Sequence, residues 1–352
     1  MRTLALMEQG LTLGVTGDLY SVERGGKLLE QIRMADIDEV LVFGAISVTP
    51  AALAAILRQG ADAVFLTSRG RYLGRLVGRG SKNAELRLAQ FDRVRDPAFA
   101  LEAARGIVAG KIANQRSLLL RAQREQKRED LAAAIAEMRR LAELVAISPD
   151  RDSLRGLEGQ AAAVYFGVFG LCVRNPLFAF EKRSRRPPRD PVNALLSFGY
   201  TFLGTAMESL VLRAGLDPML GVFHGAEYGR PSLMLDLIEE FRPLVVDSLA
   251  LRLVNLRAVA PEDFEEPPAD DDVVWSDESD SVPGPEAAKA VWLGESGRRA
   301  FFRSWGRRLR ETVYYEPRRQ TLALEEIMRQ QVYHFARVVK GEEPAYAAFT
   351  PR

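Results

Sequence analysis

Apolar and polar residues alternate in LTLGV and again in LYSV, with TGD turning the chain between them and Gly25-Gly26 turning it once more. Alternation with a period of two marks a half-buried strand. EVLVFG is a short apolar run suited to a buried strand. Thr49-Pro50 opens AALAAILRQG as a helix, with threonine at the N-cap, proline at the first helical position and glycine at the exit. AVFLT, SRG and RYLGRLV then form a hairpin. Residues 1–78 therefore predict a small, mostly β domain with one helix.

From Asn83 the period lengthens to that of helices. AELRLAQFDRV, FALEAARGIVAGKIANQRSLLLRAQ and REDLAAAIAEMRRLAELVA are rich in Ala, Leu, Arg and Glu. SPDRD breaks the pattern, and a further helix starts near Ser153. FEKRSRRPPRDP is a loop, because its prolines cannot sit inside a helix. PVNALLSFGYTFLGTAMESLVLRAG is helical again and ends at Gly215. The fold class is α+β multidomain: a small β-rich N-terminal domain, 1–78, followed by a larger all-α domain, 83–352.

Composition narrows the class further. The chain has 352 residues, 47% hydrophobic and 27% charged, as a globular protein with a real core has. One cysteine, Cys172, excludes an internal disulfide and a cysteine-type zinc site, and fits the reducing cytoplasm. No uninterrupted apolar run approaches the length that spans a bilayer, so no membrane partner is expected. The net charge of +1 conceals a strong asymmetry. Every titratable side chain from Glu262 to Asp280 is acidic, ten in all, which leaves about +11 on the rest. An insert at 261–285 is thus expected to be acidic and disordered, and the folded remainder basic enough for a polyanionic partner.

The chemistry concentrates in three places. In SLRGLEGQAAAVYF, Leu154, Leu157, Ala161, Ala162 and Tyr165 form an apolar arc, and Glu158 projects within it. A carboxylate there must be protonated, paired with a cation such as Arg155, or bound to a metal. Gly156 and Gly159 flank it and leave room for another element to approach. In FHGAEYGRPSLMLDLIEEFRP, His224 lies in a glycine-bounded turn ahead of a helix. Leu233, Leu237 and Phe241 make the apolar stripe of that helix, and Asp236, Glu239 and Glu240 lie together on its other side, where a solvated acidic face is the plain alternative to a site. The other histidine, His334, reads as a packed or surface helix residue. Two hard oxygens and one imidazole suit Mg²⁺ or Mn²⁺, with Mn²⁺ the more tolerant of nitrogen. Finally, Lys182, Arg183, Arg185, Arg186 and Arg189 make a basic loop suited to DNA phosphates, or simply a solvated charged loop.

SLRGLEGQAAAVYF, RSRRPPRDPVNALLSFGY and GLDPMLGVFHGAEYGRPSLMLDLIEEFRPLVVD together resemble the motifs of the CRISPR-associated Cas-one family, the integrase-nucleases of spacer acquisition. The likeness runs along nearly the whole chain, to the helix MRQQVYHFARVV. It implies catalytic metal ligands at Glu158, His224 and Glu239, with Asp236 as a possible second acid near the metal. It also implies double-stranded DNA substrates (protospacer and CRISPR repeat), a homodimer formed through the β domain, and a partner of the Cas-two family. The acidic insert departs from the family pattern. A catalytically silent nucleic-acid scaffold and a transposon integrase remain the alternative readings.

Overall fold

The computed structural model describes residues 2–78, 83–185, 187–225, 227–266 and 290–351. It divides into two compact units, Met1–Ser81 and Lys82–Arg352.

The first unit holds strands β1 (Thr3–Leu6), β2 (Leu11–Thr16), β3 (Leu19–Arg24), β4 (Lys27–Arg33), β5 (Glu39–Phe43) and β6 (Ser47–Val48). Helix α1 (Pro50–Gln59) and strands β7 (Asp62–Leu66) and β8 (Tyr72–Leu76) follow. Two four-stranded sheets result, ordered β1-β5-β7-β8 and β4-β3-β2-β6. β5 is buried along its whole length between β1 and β7, both parallel to it, which explains its unbroken apolar run. α1 begins as its sequence dictates: the Thr49 side chain accepts from the Ala52 amide, and Gly60 ends the helix in the left-handed region at φ 73°. Leu13, Tyr20, Val40, Ile56 and Ala63 lie at the centre of the core. β4 forms a sheet edge with Leu28 and Leu29 about half exposed.

The second unit is built from α2 (Ala84–Arg95), α3 (Pro97–Gln126), α4 (Ala132–Ala146), α5 (Arg151–Phe169), α6 (Pro191–Ala214), α7 (Ser232–Ile238) and α8 (Ser248–Asn255). A two-stranded ribbon of β9 (Phe264–Glu265) and β10 (Trp292–Leu293) leads to α9 (Glu295–Arg310). A second ribbon, β11 (Thr312–Tyr315) with β12 (Gln320–Ala323), leads to α10 (Leu324–Val339). The unit is thus mostly helical, with two small ribbons that its sequence did not announce. Aspartates 96, 150 and 190 cap α3, α5 and α6 by accepting from backbone amides in the first turn. α6 is long and apolar enough to cross a membrane, but its apolar stretch is mostly buried inside the unit, as in a core helix.

Part of the expected acidic insert is ordered. Pro261–Asp263 form one helical turn, and Phe264–Glu265 pair with β10. The Asp263 carboxylate accepts from the Ala260 amide and from Ser296, so this acid is structural. The remainder of the insert, residues 267–285, lies outside the described residues.

Candidate active site

The acids of α7 are not a solvated face. Asp236, Glu239 and Glu240 are all buried, and each enters a different environment. Successive side chains on a helix point about 100° apart, and this one is packed on several sides, so each acid meets a different neighbour. Pro243 has no N–H to offer the carbonyl four residues back, so α7 ends at Ile238 and a π-helical turn, Arg242–Asp247, carries the chain into α8.

Asp236 is saturated. Its Oδ2 accepts from the amides of Val222 and Phe223 at 2.6 and 3.0 Å, and its Oδ1 from the amide of His224 at 2.9 Å. Oδ1 also lies 2.7 Å from Nδ1 of His224. A carboxylate only accepts, so Nδ1 carries the proton and Nε2 presents its lone pair. Gly221 makes the wrap possible, since a Cβ there would stand 2.7 Å from Oδ2 of Asp236. With four donors on its two oxygens, Asp236 orients the imidazole and has little left for a metal.

Glu239 faces the other way. Its Oε2 meets Lys111 Nζ of α3 at 2.6 Å, an ion pair without hydrogen-bond geometry, and its Oε1 lies 3.2 Å from Nε of Arg242. The same ammonium donates to Oε1 of Glu158 on α5. Two carboxylates from distant segments therefore converge on one cation. Burial alone would raise the Glu239 carboxyl, but Arg242, then Lys111 and His224, hold it below its ordinary range. Arg151 and Arg155 of α5 donate to the carbonyls of Val222 and Phe223 at 3.5 and 3.4 Å, tying the Glu158 helix to the His224 turn.

Other expectations fare differently. The cation beside Glu158 is Lys111, because Arg155 pairs with Asp152. Gly156 and Gly159 face open space, and among the described residues no element approaches them. Glu240 turns toward the C-terminal tail, accepting from Tyr346 Oη at 2.7 Å and from Phe349 N–H. His334 is a packed helix residue: its ring stacks on Tyr346, accepts from the Ala347 amide and pairs with Glu343.

The basic loop is not uniformly solvated. Lys182, Arg185 and Arg189 are exposed, and Arg186 lies outside the described residues. Arg183 instead turns inward and donates to Ser184 O, Asn193 Oδ1 and Ser197 Oγ. Behind it, Tyr200 and Tyr165 donate to the buried Asp247 at 2.5 and 2.8 Å. Burial lifts the Asp247 carboxyl to about 6, against these hydroxyls.

Lys111 was missed by sequence reasoning, its only signal being a lysine at a core-facing position of GKIANQ. Also missed was an exposed arginine stripe on α9, Arg299, Arg303, Arg307 and Arg310, which RRAFFRSWGRRLR displays at helical spacing.

Among the described residues no three His, Cys, Asp or Glu side chains already stand in metal-binding geometry. The donor set nevertheless fits a hard divalent ion: two carboxylates held by one ammonium, and an imidazole whose Nδ1–H is fixed by a carboxylate, the usual outer-shell arrangement of ligating histidines.

A β-rich unit followed by a helical one that carries two carboxylates and an oriented imidazole defines the class. A family model described as "CRISPR associated protein Cas1" matches residues 4–281, and the chain belongs to that family. It is 37% identical over 349 residues to "CRISPR-associated endonuclease Cas1 3" of Thermus thermophilus, covering 99% of this chain and 96% of the relative. Among solved structures, "Casposase bound to integration product" superposes with a TM-score of 0.81 at 20% identity, covering 100% of this chain and 94% of that one. A chain of the "Cas6-RT-Cas1--Cas2 complex" superposes with a TM-score of 0.78 at 24% identity, covering 99% of this chain and 36% of that one.

Proposed function

We propose that this chain is a metal-dependent DNA endonuclease and integrase of CRISPR spacer acquisition. The observation that carries the reading is the convergence of Glu158 and Glu239 on one cation, with Glu239 also feeling the charge of an imidazole whose tautomer Asp236 fixes. The reaction is phosphodiester transfer. A DNA 3′-hydroxyl attacks a phosphate at the edge of a repeat, one phosphodiester forms, and the former 3′-oxygen leaves with the proton. Water in place of the hydroxyl makes the same site a nuclease.

Glu158, Glu239 and Nε2 of His224 would hold Mg²⁺ or Mn²⁺. When bound, the ion supplies positive charge for the phosphoryl oxygens. The chain's own groups do the rest. Asp236 fixes the neutral ring in its Nδ1–H tautomer, so that Nε2 is the nitrogen left to ligate. Lys111 and Arg242 stand where they can neutralise phosphate charge as well as the carboxylates. The bond count is conserved, so positioning of two DNA ends in line is the main demand on the protein.

Double-stranded DNA, a second copy and a Cas-two partner complete the reading. The open β4 edge with Leu28 and Leu29 supports pairing through the β unit. The relative's name, endonuclease, and the fold shared with a casposase and with a chain of a Cas1–Cas2 complex support the chemistry and the assembly. Cys172 is buried and burial pushes its thiol up to about 12, away from the reactive thiolate, and a single free cysteine is in keeping with the cytoplasm.

The test is strand transfer of a labelled short duplex into a repeat-bearing plasmid, with Mn²⁺ or Mg²⁺ and with EDTA. Transfer that needs the metal, and that Glu158→Ala and His224→Ala each abolish while remaining folded, supports the assignment. Full metal-dependent transfer by either variant overturns it.

A further inference from the structure

Beside the candidate metal ligands lies a small cavity of about 10 Å³, room for a single oxygen atom. Lys111, Gln115, Arg183, Arg185, Tyr200 and Arg242 line it. Lys111 and Arg242 also touch Glu239, so the cavity and the candidate metal centre share a wall.

Three features set this cavity apart from an ordinary basic patch. First, Arg183 is a buried guanidinium whose N–H groups meet no carboxylate. They go to a carbonyl, an amide oxygen and a hydroxyl, and its buried Nε has no acceptor among the described residues. Burial has pushed it down to about 10, with Arg185 adding to the strain, yet it stays charged at neutral pH. A desolvated charge left so is costly unless an anion arrives. Second, the cavity wall includes Gln115, 2% exposed, whose carboxamide N–H₂ is a type of group that donates to an oxygen. Third, the ring of Tyr200 carries Arg242 at 4.6 Å and Arg183 at 5.5 Å, while its hydroxyl is committed to Asp247. With guanidinium groups over that ring, it is a poor platform for a base and a firm support for two cations. The nearest acids are engaged: Asp247 by two tyrosines, Glu158 by Lys111, Glu239 by Lys111 and Arg242.

We propose that this cavity is a second phosphate subsite, which takes one non-bridging oxygen of a DNA backbone phosphate next to the one that reacts. The strand runs across the mouth, and Arg183, Arg185 and Arg242 surround the inserted oxygen. Guanidinium groups present N–H forks that match the oxygens of a backbone phosphate. The subsite rests on the DNA reading above for the identity of its polymer, but not on any catalytic step.

The experiment is therefore done without metal. Binding of a fluorescein-labelled ten-nucleotide single strand of mixed sequence is followed by anisotropy in EDTA across a range of NaCl. One lost phosphate contact lowers the slope of log affinity against log salt by roughly 0.7 for a single strand. Arg183→Gln and Arg185→Gln are each expected to lower the slope by about that amount and to weaken binding roughly five- to tenfold at low salt. Arg139→Gln, at an exposed position on α4 away from the cavity lining, makes the same change in net charge and should leave the slope alone. Because Arg183→Gln removes interior hydrogen bonds, Arg185→Gln, at an exposed position, decides if the former does not fold. Slopes equal to wild type, or a matching fall in Arg139→Gln, overturn the subsite. The strand-transfer assay reports separately on the enzymatic reading: loss of slope without any transfer by wild type would retain the subsite and sink the integrase.

Discussion

Nδ1 of His224 stands 2.7 Å from Oδ1 of Asp236, the same oxygen that accepts the His224 backbone amide. One carboxylate thereby fixes both the turn and the tautomer of the ring. Asp236→Asn keeps the size but can no longer accept at all four donors, and its own N–H₂ would face one of them. Such outer-shell changes typically cost roughly 10- to 100-fold in metal affinity or activity. Calorimetric titration with Mn²⁺ should show a weakening of that order in Asp236→Asn, and a urea melt should show a loss of about 1–3 kcal/mol from the amides left poorly paired. Unchanged Mn²⁺ affinity would mean that His224 needs no such orienting.

Lys111 makes a different prediction. Its ammonium satisfies two carboxylates at once, and its side chain is 9% exposed. Lys111→Met leaves Glu158 and Glu239 facing each other without that charge, and breaking a buried pair in this way costs about 3–5 kcal/mol. A divalent ion restores positive charge between the carboxylates. The variant should therefore unfold at a lower temperature than wild type in EDTA, and Mn²⁺ should raise its melting temperature by more than it raises that of wild type. Equal gains in the two proteins would place the metal elsewhere.

Local signals were readable in the sequence because they act over a few residues. Thr49 and Gly60 delimit α1, Asp190 and Gly215 delimit α6, and the apolar run of β5 signals burial on both faces. His224 and Glu239 stand out for the same reason: one lies in a glycine-bounded turn and the other in an acid-rich helix. What could not be read depends on a departure from ideal geometry or on distant partners. Helical spacing places Asp236, Glu239 and Glu240 on one side, but the His224 turn, Lys111 of α3 and Tyr346 each take one of them, and the three acids end in separate surroundings. Lys111 meets Glu158 and Glu239 only after three helices have packed, and periodicity carries no trace of that. The inward turn of Arg183 is likewise set by Asn193 and Ser197, which receive its N–H groups.

The C-terminal tail lies against α3 because two glycines let it. A Cβ at Gly106 would stand 2.3 Å from the Tyr346 carbonyl oxygen, and one at Gly110 would stand 2.1 Å from Cβ of Ala348. Gly106→Ala improves helix propensity on paper, yet it should destabilise the protein by about 1–3 kcal/mol, as overpacking does. The same variant should speed hydrogen exchange at the Phe349 amide, which is otherwise held by Glu240. A gain in stability would show that the tail can move aside freely.

Glu240 anchors that tail and gives the protein a pH dependence of its own. Burial lifts its carboxyl from 4.5 to about 8, only partly opposed by Tyr346, Phe349 and Gln331. Between those two values the folded chain holds the proton more tightly than the unfolded chain does. Stability must then fall as pH rises across that window, by up to about 1.4 kcal/mol for each pH unit crossed, and level off above it. Glu240→Gln copies the shape of the protonated acid and cannot ionise. The difference in unfolding free energy, wild type minus Glu240→Gln, should decline by a few kcal/mol from pH 5 to pH 8.5. Subtracting the variant cancels Asp247, lifted to about 6, and His334, which burial holds below its ordinary range, and work above pH 5 avoids the opposite effect of Glu239, whose depressed carboxyl acts only in acid. Urea melts in EDTA at pH 5, 7 and 8.5 measure it. A difference that stays constant, or that grows with pH, would mean that Glu240 is ionised in the folded protein and that the tail is held by a charge rather than by a neutral acid.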